Sequence, residues 1–230
     1  MIFVLRKETV GAIVLMALVA LLEFILPHLT EATLENKLTD RLSAHDVKVR
    51  LSSTPMFFTE LGEIDTLTAD AYRADIGGTV VSELHLSGEK VKLDMPNLIK
   101  NGDININSAN ELKLVAVITD DDLRHTIENE LEMLDDVTVH ISPQDITAAA
   151  KIKIFGRDAD VTLNGKVVVD RGSLVFQMTN LNVKNAFPGT LNLSSMFSNI
   201  ELVGKSKLIL GAKFTDARAE EGKVTITAAR

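Results

Sequence analysis

The chain has no cysteine and no tryptophan, and aromatic residues make up only 4% of its 230 positions. Without cysteine it forms no disulfide and offers no thiolate to a metal, so the fold depends on its apolar core alone. That core has to be built from Val, Ile, Leu and Ala, a composition typical of β-sheet. A net charge of −8 argues against nucleic acid as a partner, because phosphate binding requires clustered Lys and Arg.

The longest hydrophobic run covers residues 10–26 and is interrupted only by Glu23. Arg6 and Lys7 precede it and acidic residues follow it, which predicts a cytoplasmic N-terminus and an exported remainder. The run approaches the ~20 residues of a spanning helix, and no good small-x-small cleavage site follows it. We therefore expect residues 1–29 to form a cytoplasmic stub and an uncleaved transmembrane signal anchor. A removable signal peptide is the alternative.

Two segments carry apolar residues every four positions, which predicts amphipathic helices. The first follows the run directly, with Thr30 as candidate N-cap. The second follows Thr119, whose hydroxyl and the three aspartates after it are typical of a helix start. Their apolar stripes consist of Leu34, Leu38 and Leu42 in the first segment and Leu123, Ile127 and Leu131 in the second.

Most of the remaining chain alternates apolar and polar residues, a pattern that predicts antiparallel strands with one solvated face. Turns are expected at the glycine-containing sequences 77–78, 87–88, 170–172 and 220–222. The predicted fold class is α+β. Because each half reads as one helix followed by several strands, residues 30–118 and 119–185 form a candidate quasi-repeat within a single domain of residues 30–230. A C-terminal hairpin is expected over residues 199–230.

No catalytic or metal-binding pattern is present in the sequence. The five histidines have no ligand spacing, and no serine lies in a nucleophile elbow. Asp103, Asn105 and Asn107 imitate a calcium loop, but Ser108 replaces the required glycine and Leu114 stands at the position of the bidentate glutamate. We therefore expect a protein that is not an enzyme and that needs no cofactor.

Three connections between predicted elements are unusually apolar, and they lie at residues 56–61, 98–99 and 187–197. Together with apolar residues of the predicted helices and strands, they form the candidate set of lipid-contacting residues. Such connections either plug the ends of a barrel or sandwich, or form an adaptable mouth over an apolar groove. Small residues at Ala69, Ala71, Ala148, Ala150 and Gly165 on one sheet face would leave room above it. The candidate lining residues are Met56, Phe57, Phe58, Leu61, Leu98, Ile99, Leu123, Ile127, Leu131, Phe176, Met178, Phe187, Leu191, Met196 and Phe197.

The order of these elements resembles the LmeA-like family of envelope phospholipid-binding proteins. The resemblance rests on the export segment, the leucine-spaced helix, the V-x-V-x-L strand from Val47, the connection with Phe57 and Phe58, and the ending L-x-L-x-A-x-F…E-G-x-V-x-I-x-A. It covers nearly all of residues 30–230. It implies a tubular lipid-binding (TULIP-like) fold, an elongated and strongly curved antiparallel sheet or half-barrel with two main helices that enclose an apolar channel.

The resulting hypothesis is a non-enzymatic protein that holds the acyl chains of phospholipid or another lipid, in lipid transport or envelope biogenesis. It would be a single-pass protein of a bacterial cytoplasmic membrane, with its domain on the periplasmic side. The rival hypothesis is a structural envelope module that docks an unknown protein partner through its exposed apolar connections. Burying one acyl chain supplies about 0.8 kcal/mol per methylene, which requires no charged clamp.

Overall fold

The computed structural model describes residues 30–54, 56–101, 103–131, 133–154, 157–184, 200–204 and 211–230. The predicted membrane anchor at residues 10–26 lies outside these residues, and so do Phe187, Leu191, Met196 and Phe197. Among the described residues, no helix has the length and apolar character needed to cross a membrane. The anchor therefore stays a prediction.

The chain folds into three α-helices, one 3-10 helix and twelve strands within the described residues. Helix α1 covers residues 30–42. The remaining elements are β1 (Asp46–Ser52), the 3-10 helix (Met56–Leu61), β2 (Glu63–Asp75), β3 (Val80–Leu93), α2 (Met95–Asn101), β4 (Ile106–Ser108), β5 (Glu111–Thr119), α3 (Asp120–Glu130), β6 (Leu134–Ile141), β7 (Ile146–Ile154), β8 (Arg157–Asp170), β9 (Ser173–Lys184), β10 (Ile200–Val203), β11 (Lys213–Glu220) and β12 (Lys223–Ala229).

Two antiparallel sheets contain these strands. The larger has seven strands in the order β1-β2-β3-β5-β12-β11, with β4 paired to β3, and the smaller has the order β10-β9-β8-β7-β6. The protein is thus mostly sheet, of α+β class, with a sheet that curls into a half-barrel. This confirms the antiparallel α+β prediction. Within residues 199–230, β11 and β12 pair as an antiparallel hairpin around the turn at residues 220–222 and join the larger sheet beside β5, whereas β10 joins β9 in the smaller sheet.

Helix α3 begins where its sequence predicts. The hydroxyl of Thr119 accepts from the backbone N–H of Asp122, and the Asp122 carboxylate accepts from the backbone N–H of Thr119, which completes a capping box. On the other face of the helix, Leu123 and Ile127 are fully buried. The local sequence therefore determines both where α3 begins and which face it buries.

The predicted turn at residues 87–88 is wrong, because β3 continues through both residues. Gly88 pairs with Leu67 on one side and Leu112 on the other. A Cβ atom at Gly88 would lie 2.7 Å from Cγ2 of Val91 and 3.2 Å from Cδ1 of Leu112. This glycine is required by close packing and not by a turn.

The two sheets share one hydrophobic core. At one place the hydroxyl of Thr79, in the β2–β3 turn, donates to the carbonyl of Leu202 in β10 at 2.7 Å. At another, the backbone N–H of Gly222 in the β11–β12 turn donates to the carbonyl of Ile141 in β6. Strand β11 also lies against β8 and β9. These contacts hold the two curled layers together.

Candidate functional site

An apolar space lies between α1 and the inner face of the larger sheet. Helix α1 lies over it and buries its leucine stripe toward the strands. The lining is entirely apolar. We call this cavity the α1 space, and its lining residues are Leu34, Leu38, Val49, Leu67, Ala69, Leu86, Leu93, Ile104 and Ile106.

The unfilled volume of the α1 space is about 20 Å³. A void of that size has room for about one water molecule, and an apolar lining leaves such a water without hydrogen-bond partners. An acyl chain therefore enters only if α1 moves away from the sheet. The space is the contact surface between a helix and a curved sheet, not an open channel.

Two glutamates of α1 hold the helix to the free edge of β1. Val49 N–H donates to Oε1 of Glu35 at 2.9 Å, and Leu51 N–H donates to Oε1 of Glu31 at 2.8 Å. Among the described residues strand β1 ends the larger sheet, so on this side these amides have no strand partner there. We call the two contacts the edge bonds.

The spacing of the edge bonds follows from element geometry. Four residues along a helix advance about 6.0 Å, and two residues along a strand advance about 6.6 Å. Glu31 and Glu35 therefore match Leu51 and Val49 when the helix runs antiparallel to β1. The edge bonds block β1 from pairing with another chain, since an uncovered edge is a template for strand addition.

The 3-10 helix and α2 meet at one end of the larger sheet, because Leu93 N–H donates to the carbonyl of Gly62 at 2.8 Å. Leu98 is buried there, whereas Leu61 and Ile99 are 62% and 79% exposed. We call this end the strand-end surface. The structure thus brings together two of the three apolar connections singled out in the sequence. Leu61 and Ile99 face solvent and do not plug the fold.

Phe58 is half-buried and lines a different, partly polar cleft of about 320 Å³ on the strand-end side. Met56 and Phe57 belong to the same 3-10 helix, and the positions of their side chains are outside the description. The cleft contains two cross-strand ion pairs, Lys90 with Asp65 and Lys92 with Glu63 at 2.9 Å. Its charges are mutually paired.

The Lys90 ammonium, and next the Thr54 backbone N–H, hold the pKa of Asp65 below its ordinary value. Lys151 does the same for the pKa of Asp136, through a 2.7 Å hydrogen bond. Both carboxylates have ordinary ion-pair partners and lie outside the α1 space. Among the described residues, no three His, Asp or Glu side chains come together in a way that would hold a metal ion.

The other predicted lining residues lie in the shared core, away from the α1 space. Phe176 is 1% exposed, and a Cβ atom at Gly165 would lie 2.6 Å from Cζ of its ring. The room that the small residue at position 165 leaves is therefore filled by Phe176. Leu123 and Ile127 are buried on α3, while Leu131 and Met178 pack on the core at its border. Their role as lipid contacts stays a prediction.

Most residues that line the α1 space cannot be distinguished from other core residues by their sequence pattern. Leu67, Leu86, Leu93, Ile104 and Ile106 follow the same alternation as every other inward position. Two sequence features do indicate the α1 space: the leucine stripe of α1 and the small side chain of Ala69, which lines the space. A Glu at positions i and i+4 of a helix beside an edge strand is the signal that would have revealed the edge bonds.

The model of the LmeA-like phospholipid-binding family matches residues 21–229 of the chain. The chain belongs to the LmeA-like phospholipid-binding family. The match spans the α1 space, both sheets and the C-terminal strands, so it describes the whole domain and not one motif. No curated protein and no solved structure matches the chain.

Proposed function

We propose that this protein binds phospholipid without catalysing a reaction, and that the acyl chains enter between α1 and the larger sheet. The observation that carries the proposal is the entirely apolar α1 space under a helix at the edge of the fold. Membership of a phospholipid-binding family supports the choice of lipid over other apolar ligands. In this proposal the half-barrel is a TULIP-like container with α1 as its movable cover.

The free energies of such an exchange can be compared for a chain that enters from water. Lifting α1 exposes Leu34, Leu38 and Leu42, at about 1.5–3 kcal/mol each if they were left in water, so roughly 5–9 kcal/mol in total. A chain of about fifteen methylenes gains about 12 kcal/mol on burial. The leucines then cover the chain, so little of their cost remains. For a chain that enters from water, this gain exceeds the cost of exposing the leucines. For a chain that enters from a bilayer, where it is already buried, the gain is small, and the exchange requires the leucines to cover the chain as α1 closes.

The strand-end surface is the proposed mouth. Leu93 lines the α1 space at the end of β3, and its backbone N–H binds the turn after the 3-10 helix. The exposed side chains of Leu61 and Ile99 belong to the same end. Branched apolar side chains at the rim would enter the bilayer interface and bring the end of the α1 space to the acyl chains.

The proposed location is the periplasmic face of a bacterial cytoplasmic membrane, in lipid transport or envelope biogenesis. It rests on the apolar run at residues 10–26 with Arg6 and Lys7 before it. Helix α1 follows the run at once, so a retained anchor would keep the cover close to the bilayer. Determining the N-terminus of the mature protein distinguishes a tethered protein from one that moves between membranes.

The test is direct detection of lipid. Native mass spectrometry of the protein, released from detergent in the gas phase, should show a co-purified phospholipid, and a fluorescent phospholipid should transfer to the protein from vesicles. Leu38→Asp, which places a carboxylate in the α1 space, should abolish transfer, whereas the exposed substitution Asp40→Asn should leave it unchanged. Absence of both bound lipid and transfer in the wild-type protein would end the proposal.

The exposure of Leu61 and Ile99 also favours the rival function, a structural module that docks a protein partner. Replacing Phe57 and Phe58 by Asp separates the two functions. A variant that folds but no longer takes up lipid supports the α1 space and its mouth. A variant that retains lipid and loses a co-purified protein supports the structural module.

A further inference from the structure

A second cleft, of about 290 Å³, lies where β11, at the edge of the larger sheet, packs against β8 of the smaller sheet. It is separate from the α1 space and shares no residue with it. One wall is β8, another is β11, and the β6–β7 turn closes one end. The lining residues are Pro143, Gln144, Asp145, Ile146, Lys166, Val167, Val168, Ala217, Arg218 and Ala219.

The cleft has a cation on each of two walls, Lys166 on β8 and Arg218 on β11. Neither charged side-chain group makes a hydrogen bond or ion pair with another described residue. This differs from the cleft at the strand-end surface, where both lysines have carboxylate partners. Both side chains are exposed, like those of Lys113 and Lys213, but Lys166 and Arg218 line one cleft together.

The third charged group in the cleft is Asp145. Its carboxylate accepts from the hydroxyl of Ser142 at 3.2 Å, and its backbone N–H donates to the same hydroxyl, so it is held in the turn. With Lys166 and Arg218 counted against Asp145, the walls carry a formal charge of +1. A monoanion matches that charge, and a dianion exceeds it.

Two further features of the walls favour an anion with carbon substituents as the ligand. Strand β11 lies against β8 but ends the larger sheet, so on one side its backbone N–H groups have no strand partner among the described residues. Such amides are donors to an oxyanion. The remaining lining residues are one polar residue, Gln144, and the apolar residues Pro143, Ile146, Val167, Val168 and the two alanines. The cleft thus offers charged and amide donors beside a surface suited to hydrocarbon.

We infer that the cleft between β8 and β11 binds a phosphodiester monoanion, with Lys166 and Arg218 on its oxygens and its carbon substituents on the apolar wall. Guanidinium binds phosphate oxygens in a bidentate manner, and lysine binds them as a point charge. Asp145 is placed to accept from a hydroxyl or ammonium of the substituent. The identification of the diester as a phospholipid headgroup rests on the proposed function. The inference that the cleft binds a phosphodiester does not depend on it.

The experiment uses the full chain in a non-ionic detergent that contains no phosphate. The probes are glycerophosphoglycerol, which is the diester without acyl chains, short-chain phosphatidylglycerol, and inorganic phosphate, each titrated by calorimetry or phosphorus NMR. The test variant is Lys166→Gln/Arg218→Gln. The matched control is Lys113→Gln/Lys213→Gln, which removes the same charge from exposed strand positions outside the cleft.

We expect the wild-type chain and the control to bind glycerophosphoglycerol equally, and the test variant to bind it at least tenfold more weakly. Equal binding by the test variant overturns the inference, and so does a wild-type chain that binds the lipid but not the soluble diester. Tighter binding of inorganic phosphate than of the diester overturns the headgroup assignment. If the proposed function fails, so that no lipid transfers from vesicles, binding of the soluble diester should remain.

Discussion

Removing the edge bonds should release α1 from the sheet. In Glu35→Ala the N–H of Val49 loses its acceptor, and in Glu31→Ala the N–H of Leu51 does. A hydrogen bond to a charged group contributes about 1.5–3 kcal/mol. The low end applies here, because an uncovered edge amide is hydrated by water. Each substitution should therefore increase opening about tenfold, and the double variant about a hundredfold.

Amide hydrogen exchange at Val49 and Leu51 measures this opening site by site. If α1 moves as one body, Glu31→Ala should accelerate exchange at Val49 as well as at Leu51. Glu35→Gln should have about half the effect of Glu35→Ala, because a neutral acceptor remains. Asp40→Ala, an exposed change on the same helix, should alter neither amide.

The result that refutes the reasoning is acceleration confined to the amide whose own acceptor was removed. Such a pattern would show that each glutamate covers one N–H locally and that α1 does not move as a cover. Uptake of lipid gives an independent check. Faster exchange with unchanged uptake would separate the motion of α1 from lipid entry and would remove α1 from the proposed route.

Three further outcomes are expected. Gly165→Ala should lower the free energy of unfolding by about 1–3 kcal/mol in a denaturant titration. The reason is that its Cβ would lie 2.6 Å from a backbone carbonyl and from an aromatic ring. Gly204→Ala is the control and should lower it less, because its Cβ would contact only the end of a glutamate side chain. Lys90→Gln should raise the pKa of Asp65 toward its ordinary value in an NMR titration. Because the folded pKa is depressed, the contribution of this pair to stability is present at neutral pH and lost as the pH falls through the acidic range, and the variant should lack that dependence. Ile99→Ser should reduce binding to phospholipid vesicles while changing the free energy of unfolding by less than about 0.5 kcal/mol, as is usual for exposed positions.

Local features of the fold are the ones that the sequence predicts well. The start of α3 follows from Thr119 and the aspartates after it, and α1 follows from its leucines at every fourth position. Both are decided by residues a few positions apart. Strand β1 follows likewise from its own alternation, because its inward residues Val47, Val49 and Leu51 are all buried. Short-range chemistry suffices for such elements.

Pairing between distant strands is what the sequence does not reveal. Strand β12 inserts beside β5, so Val224 lies opposite Ile118 although more than a hundred residues separate them. The sequence of neither strand indicates which strand it pairs with, because both have the same apolar alternation. The turn predicted at residues 87–88 is wrong for a related reason. Gly88 is small because Val91 and Leu112 approach it, and Leu112 comes from another strand.

The candidate site is only partly readable from sequence for the same reason. The apolar connections stand out because their composition is unusual for loops, and two of them do meet at the strand-end surface. The lining of the α1 space cannot be recognised in the sequence, because Leu67 and Leu86 have the same pattern as other core residues. They differ only in the element that packs over them. What lies above them is α1, whose position depends on β1 and on the edge bonds.

The two helix-first segments end up with different roles, although their order of elements is alike. Asp120 of α3 accepts from the backbone N–H of Ile141 in β6, and Asp122 accepts from the hydroxyl of Ser82 in β3, so α3 bonds to both sheets. Moving α3 would separate the two layers of the fold. Helix α1 is joined to the outer edge of β1 by Glu31 and Glu35. Lifting α1 would leave the α3 bonds between the two sheets in place, so we expect lipid entry in the first segment.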